Sequence, residues 1–375
     1  MSRLIKVIIC LPIILVATNY SVSNISTSRQ NAITKAVSIC SPAVVGINVI
    51  ENRVGVVNGY SGDLFYDYFF GPQRYYKQYQ ISGGGSGFLI SSDGYILTNH
   101  HVAGNASKVI VTLTSGENYE ADIVGADLAS DICLLKIEGK NFPFLKFGDA
   151  DDILVGEWTI AMGNPFGLFE YNAKPVVTVG VVSNIGISFI QKDGKDYRIY
   201  KDMVQTDAAI SSGNSGGPLL NANGEVIGMN TVIFTTTKDA SGSAGSIGIG
   251  FAVPVDRIKR VVDLLKKNGK INRNINVGIT VSGLDEKIAK YYRLIKNEGI
   301  FIYQMDSRSA ASTAGLEVGD IIEKINGRKV IKTDDLLLSI GDAVVGDKLT
   351  FEVLRDRKKL ELVLTIPPSL PTRRR

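Results

Sequence analysis

Histidine is almost missing from this chain: in 375 residues only His100 and His101 carry an imidazole. Imidazole is the side chain that takes up and returns protons near neutral pH, so chemistry of that kind has one address here. Cysteine is scarce as well. Of Cys10, Cys40 and Cys133 the first lies in an apolar leader, which leaves at most one intramolecular pair. Their spacing gives neither a disulfide framework nor a metal site, so no metal is expected and the redox compartment is not set by cysteine. Cys133, inside the apolar run Ile132–Ile137, reads as a small buried hydrophobe. Charge of one sign is lacking too. A formal net charge of +4 makes no case for nucleic acid, and Arg373-Arg374-Arg375 reads as a frayed tail, residues 368–375.

Long hydrophobic runs are limited to one. Val7 to Ala17 is broken only by Cys10 and Pro12 and follows Arg3 and Lys6. It is shorter than the roughly 20 residues that cross a bilayer. A basic flank before such a run fits an export signal over residues 1–20, cleaved or kept as a signal-anchor, because no clean A-x-A site follows. A buried N-terminal helix is the alternative. Either of the first two readings places the rest of the chain outside the cytoplasm.

What remains is ordinary in bulk: 45% hydrophobic and 21% charged residues describe a globular protein with room for two or three domains. Glycine, at 39 residues, is plentiful and suits a β protein with many tight turns. After a Ser/Asn/Thr-rich spacer at 21–31, helical spacing over Ala32–Ser41 ends at Pro42, and Ala43–Ile50 predicts a strand. Asn58–Gln80, with Phe65-Tyr66-Asp67-Tyr68-Phe69-Phe70, has no clear period and predicts a long aromatic loop that packs on a partner subunit. From Gly87 to Thr231 short strand-like runs follow one another, separated by Asp93-Gly94, Ser115-Gly116 and Asn223-Gly224. That rhythm predicts one all-β barrel or a pair of them, not βαβ units. Val255–Lys267 predicts a helix closed by Asn268-Gly269. A polar linker at 270–276 then leads to a small domain at 277–367 with alternating strands and helices.

One stretch carries chemistry. Gly213-Asn214-Ser215-Gly216-Gly217-Pro218 sets a serine between glycines that leave its Oγ exposed and nearby N–H groups unencumbered, as a nucleophile and an oxyanion require. Taken alone it is equally a surface turn. The base must come from the two histidines, at the end of the strand Tyr95–Thr98. The orienting acid is best placed at Asp131, which opens an apolar strand; Asp122, Asp127 and Asp149 are alternatives that read as turn residues. His, then Asp, then Ser is the order of the chymotrypsin-like arrangement.

Thr98-Asn99-His100-His101-Val102, Ser130-Asp131-Ile132 and Gln205-Thr206-Asp207 followed by Gly213–Leu219 together resemble the HtrA/Deg family of chymotrypsin-fold serine proteases with appended PDZ domains. Ser41–Val45, Gly163-Asn164-Pro165-Phe166-Gly167 and Gly250–Pro254 extend the likeness over roughly residues 32–366. The resemblance implies a mainly β fold, a two-barrel chymotrypsin-like protease domain at 32–269 followed by a small α/β PDZ domain. It implies His101 as general base, because the family histidine directly precedes the valine; His100 stands where the family commonly has asparagine. Asp131 becomes the orienting acid and Ser215 the nucleophile, with N–H groups of Gly213 and Ser215, and Asn214 as a further candidate, for the oxyanion hole. At the pocket base stand Ala209 and Ile210, with no carboxylate, so small or aliphatic P1 residues are expected. Gly186–Tyr200 resembles the family's sensor loop, and as a charged stretch it equally reads as solvated surface. In the PDZ domain, Asn297-Glu298-Gly299-Ile300-Phe301-Ile302 resembles the carboxylate-binding loop and strand, with Leu337 and Ile340 lining a side-chain pocket.

The activity so implied is ATP-independent endoproteolysis of unfolded or misfolded exported proteins, with peptide C-termini bound at the PDZ domain, a homotrimer and no cofactor. A signalling protease that cuts one anchored substrate, and a holdase chaperone on a protease scaffold, are the competing readings.

Overall fold

The computed structural model describes residues 29–59, 73–164, 174–193, 196–211, 213–233, 248–273, 275–292 and 299–368. The leader, the aromatic stretch at 65–70, Pro165–Gly167, Asn297-Glu298 and the tail from 369 lie outside the described residues.

Helix α1 (Ala32–Cys40) begins at Asn31, whose side chain accepts from the Thr34 N–H while the Thr34 hydroxyl accepts from the Asn31 N–H. Pro42 turns its end into one 3-10 turn. Six strands then close a first barrel in the order β1-β2-β3-β6-β5-β4. They are β1 (Val44–Gly59), β2 (Gln73–Leu89), β3 (Tyr95–Thr98), β4 (Lys108–Thr112), β5 (Asn118–Asp127) and β6 (Ile132–Ile137). A four-residue helix, α2 (His100–Ala103), follows β3. The second barrel runs β10-β11-β12-β9-β8-β7. Its strands are β7 (Trp158–Gly163), β8 (Val176–Asp193), β9 (Asp196–Thr206), β10 (Pro218–Leu220), β11 (Val226–Ile233) and β12 (Gly250–Pro254). Helix α3 (Val255–Asn268) packs Ile258, Val261, Val262 and Leu265 onto the barrels and ends at Gly269, with φ 70°. Strand rhythm allows one barrel or a pair, and the pair, which the family resemblance implies, is present.

Two expectations need correction. The long loop predicted over Asn58–Gln80 is in part strand: β1 pairs with β2 without a break from Val44↔Phe88 to Gly59↔Gln73, so 73–80 are β. Tyrosines at 75, 76 and 79 suit a strand by their residue type. Gly186–Tyr200 is likewise a hairpin rather than a loop. Its two strands pair from Ile187↔Met203 through Asp193↔Asp196, with bulges on the way.

The second domain is a sheet in the order β13-β14-β15-β17-β18, with β16 on β15. The strands are β13 (Ile279–Gly283), β14 (Ile300–Met305), β15 (Ile321–Ile325), β16 (Arg328–Lys329), β17 (Lys348–Arg355) and β18 (Lys358–Thr365). Helices α4 (Glu286–Tyr292), α5 (Ala310–Thr313) and α6 (Thr333–Ile340) complete it. Its own core gathers Ile300, Ile302, Leu316, Ile322, Ile340, Phe351 and Leu364.

A buried ionic junction ties the domains. Asp342, just after α6, takes the Arg257 guanidinium at 2.6 Å and has Lys201 and Arg273 at 3.6 Å. Arg273, in the linker, also donates to the Asp342 carbonyl and holds Asp127 at the end of β5 through both carboxylate oxygens, at 2.8 and 3.1 Å. Ile199 of β9 packs so tightly on the end of α6 that a Cβ added at Gly341 would lie 2.2 Å from its Cδ1. Removing one member of such a cluster strands buried charge, at about 3–5 kcal/mol. Asp342→Ala is therefore expected to lower the urea-unfolding free energy by about that amount and to separate the unfolding of the two domains into distinct transitions.

Candidate active site

The site is built around a carboxylate. Asp131 lies between β5 and β6, fully buried, with φ 60° in the left-handed region. Asp tolerates that conformation better than most residues. Its backbone carbonyl accepts from the His100 N–H (3.1 Å) and the Asn99 side-chain amide (3.0 Å), which pins the turn to the start of α2. The geometry then aims the carboxylate at the next residue of that helix. The His101 N–H donates to Oδ1 at 3.0 Å and its Nδ1 to Oδ2 at 2.7 Å. From the second barrel, the Thr231 hydroxyl (2.6 Å) and the Tyr200 phenol (3.2 Å) also donate to Oδ2.

Burial alone would raise the Asp131 carboxyl, but the His101 imidazole, its hydrogen bonds and that of Thr231 outweigh burial and hold it below the ordinary carboxylate value. Burial and the Asp131 charge push the Cys133 thiol up to about 12, so it stays a protonated, unreactive part of the core. His100 is different from its neighbour: it is buried, and desolvation pushes it down against the pull of Asp131, which favours a neutral ring. Of the two histidines, His101 faces the acid.

Ser215 sits in a loop clamped from the first barrel. The Ser86 N–H donates to the Ser215 carbonyl (2.9 Å), and the Ser86 hydroxyl donates to the Gly213 carbonyl (2.5 Å) while accepting from the Asn164 N–H (2.6 Å). Gly216, with φ 85°, lets the loop pass this clamp; a Cβ there would lie 2.2 Å from the Ser86 carbonyl. The Ser215 hydroxyl donates to the Thr231 carbonyl at 3.2 Å, and no hydrogen bond joins it to His101. Thr231 thus touches both ends of the constellation, its hydroxyl on Asp131 and its carbonyl on Ser215. The N–H groups of Gly213 and Ser215 have no acceptor among the described residues. Asn214 does not share that role, because its N–H is spent on the Ser211 carbonyl at 3.0 Å.

Sequence reasoning picked out His101, Asp131 and Ser215, placed Arg198 and Tyr200 only within the sensor-like stretch Gly186–Tyr200, and missed Ser86 and Thr231; Arg198 stands 3.6 Å from Asp131 Oδ1. None of these four has a motif of its own. At the pocket, Ala209 is exposed and Ile210 is buried beside Gly250, where a Cβ would meet the Ile210 side chain at 2.7 Å. Of the two residues expected at the pocket base, Ile210 is thus the buried one and Ala209 the exposed one.

The PDZ assignments shift further. Ile300 and Phe301 already have strand partners on both sides, Gly283 and Ser282 in β13 and Ile322 and Ile321 in β15. A peptide strand cannot add beside Gly299–Ile302. Ile340 belongs to the domain core, while Leu337 is half-buried. Among the described residues the end strands of the sheet's main path are β13 and β18, with the two-residue β16 set beside β15. Lysines 358 and 359 guard β18, whereas β13 reads Ile-Thr-Val-Ser-Gly, carries no charge and lies against α6.

Two closed barrels with a serine loop and a His–Asp pair at their seam, followed by this sheet, define a trypsin-like peptidase domain joined to a PDZ domain. Residues 85–229 match the family model of the trypsin-like peptidase domain and residues 246–366 that of the PDZ domain. The solved structure of an HtrA-type protease, AlgW, with a decapeptide is 30% identical, covers 90% of this chain and 99% of its own, and superposes with a TM-score of 0.64. The same protease with a tripeptide gives 30% identity, coverage of 91% and 98%, and a TM-score of 0.66. The chain belongs to the HtrA family. It is also 40% identical, over 82% of its length, to a probable periplasmic serine endoprotease, DegP-like, of Chlamydia muridarum, and 39% identical over 77% to one of Pseudomonas putida strain W619. It spans 59% and 57% of those two relatives.

Because the Asp131 carboxyl is lowered in the folded state, its stabilisation is present above the unfolded value, about 3.9, and is lost as pH falls through the folded one. Asp131→Asn is expected to cost about 1.5–3 kcal/mol near neutral pH, the worth of a hydrogen bond to an ionised group. The difference from wild type should shrink as pH falls below about 3.9, as chemical denaturation at several pH values would show.

Proposed function

We propose that the chain is an ATP-independent serine endopeptidase of unfolded or misfolded exported proteins, in which Ser215 is the nucleophile, His101 the general base and Asp131 the orienting acid. The observation that carries this is the His101–Asp131 bond at 2.7 Å, joined through Thr231 to a serine whose loop keeps the Gly213 and Ser215 N–H groups without acceptors. When a substrate carbonyl arrives, the Ser215 hydroxyl exchanges the Thr231 carbonyl for His101 Nε2, attacks, and leaves the carbonyl oxygen to those two N–H groups. Asp131 holds the imidazole in the tautomer with its proton on Nδ1 and stabilises the imidazolium that forms. His101 then returns the proton to the leaving amine, and water repeats the sequence on the acyl-enzyme. No cofactor takes part in this chemistry.

An extended chain must lie across the seam between the barrels, which selects unfolded substrates. The edge strand β13 with α6 offers the place where a peptide C-terminus would add as a strand, the strand edge supplying backbone hydrogen bonds and Leu337 apolar surface. Relatives named periplasmic, and the basic-then-apolar leader, support an extracytoplasmic location. A homotrimer is the assembly that the family likeness supports, and the leader supports a cleaved signal, with a retained signal-anchor as the alternative.

Two measurements test the assignment. Ser215→Ala should reduce hydrolysis of unfolded casein at least about 10³-fold and leave the thermal unfolding midpoint near wild type; an equally active variant would overturn the triad. With Ile210 as floor, a peptide library should be cut after Val, Ala or Ile, and cleavage mainly after Arg would overturn the pocket.

A further inference from the structure

Arg198 has no part in the mechanism above, yet it stands against the mechanism's acid. It lies on β9 two residues before Tyr200, so the two side chains share a face of the strand and both reach Asp131. Its Nε is 3.6 Å from Asp131 Oδ1, its side chain is 17% exposed, and that Nε is buried without a hydrogen-bond acceptor. An arginine used for packing or surface pairing would bring its fork of donors to oxygens. Here Asp131 Oδ1 already accepts from the His101 N–H and Oδ2 from His101, Thr231 and Tyr200. What the guanidinium delivers to this carboxylate is charge.

The other ionisable groups around Asp131 leave that charge uncancelled. From α2, His100 is a buried ring that desolvation disfavours from charging, and His101 is the bonded partner. From β5, Asp127 is neutralised by the two-pronged bond from Arg273. From β6, Cys133 keeps its proton, and from β9 the buried Tyr200 phenol is pushed up and keeps its own.

We propose that Arg198 is a positioning residue that shares the Asp131 carboxylate with His101, so that less of the carboxylate's charge goes to the imidazolium and the base is freed of its proton at lower pH. The proposal rests on the triad reading. Its sign follows directly. Without Arg198 the full carboxylate charge stabilises the imidazolium, a higher pH is needed to leave His101 neutral, and the acid limb of activity moves up.

The test uses the full chain with Arg198→Met, Arg198→Gln and Arg198→Lys. The pH dependence of kcat/KM is measured on an internally quenched peptide cleaved by wild type. Phosphonylation of Ser215 by a fluorophosphonate probe, which needs no peptide binding, is followed over the same range. The acid limb should move up by roughly half a unit to one unit in the two uncharged variants and stay at the wild-type position in Arg198→Lys, which keeps the charge. A merely structural arginine would lower rates at every pH and leave the limb in place. An unmoved limb in whichever uncharged variant folds, or an equal shift in Arg198→Lys, overturns the proposal. If Ser215→Ala is inactive and the limb does not move, only the role of Arg198 falls; if Ser215→Ala is active, the triad falls with it.

Discussion

One buried carboxylate sets the terms for the rest of this molecule. Asp131 is an ion taken fully out of water, and a charge so placed is tolerated only where donors surround it. Those donors come from both barrels: His101 from the first, Thr231 and Tyr200 from the second. Neither barrel alone can complete the set. The seam between them is therefore a requirement of the acid's solvation as well as the place proposed for the chemistry. The left-handed backbone at Asp131 is part of the same bargain, since the turn that aims the carboxylate is fixed by Asn99 and His100 bonding to its carbonyl.

The Ser215 loop is held by the same logic from the other side. Ser86, buried in β2, bonds to the loop at Ser215 and Gly213 and to Asn164 at the end of β7, so a first-barrel residue fixes a second-barrel loop. Thr231 closes the circuit. Its two oxygens give it a grip on Asp131 and Ser215 at once, and the Ser215 hydroxyl rests on its carbonyl rather than on His101. Such a rest state costs one weak exchange of acceptors on substrate arrival. It also keeps the hydroxyl proton satisfied until then, and catalytic hydrogen bonds commonly tighten only with substrate present.

How much of this the sequence disclosed depends on whether a residue's role is local. His101, Asp131 and Ser215 stand in short motifs whose neighbours, Asn99, Ser130 and Gly216, serve the same turns, so each could be found along the chain. The barrels were legible because turn residues punctuate half-buried strands. Ser86, Thr231, Tyr200 and Arg198 were not, since each acts across a contact 16 to 129 residues away in the chain and looks like an ordinary strand residue in its own stretch. The PDZ strand went astray for a related reason. Alternation and apolar content mark Ile300–Ile302 as a strand, but only pairing shows that it lies between β13 and β15 and has no edge to offer.

The junction between the domains uses buried ion pairs where apolar contacts would hold as well. Replacing such pairs by well-packed hydrophobic residues is often neutral or favourable, so Asp342 with Arg257 and Arg273 contributes little net adhesion. What paired charges do supply is a penalty for every other arrangement, because a shift of α6 leaves guanidinium groups buried and unmatched. That penalty fixes α6 against β9, where Ile199 meets Gly341 and the Arg257 guanidinium holds the Ile199 carbonyl at 2.6 Å. Strand alternation then places Tyr200, the next residue, on the opposite face with its hydroxyl on Asp131. Helix α6 and the Asp131 carboxylate are thus separated by the thickness of one strand. The ionic junction is what makes that separation a fixed distance.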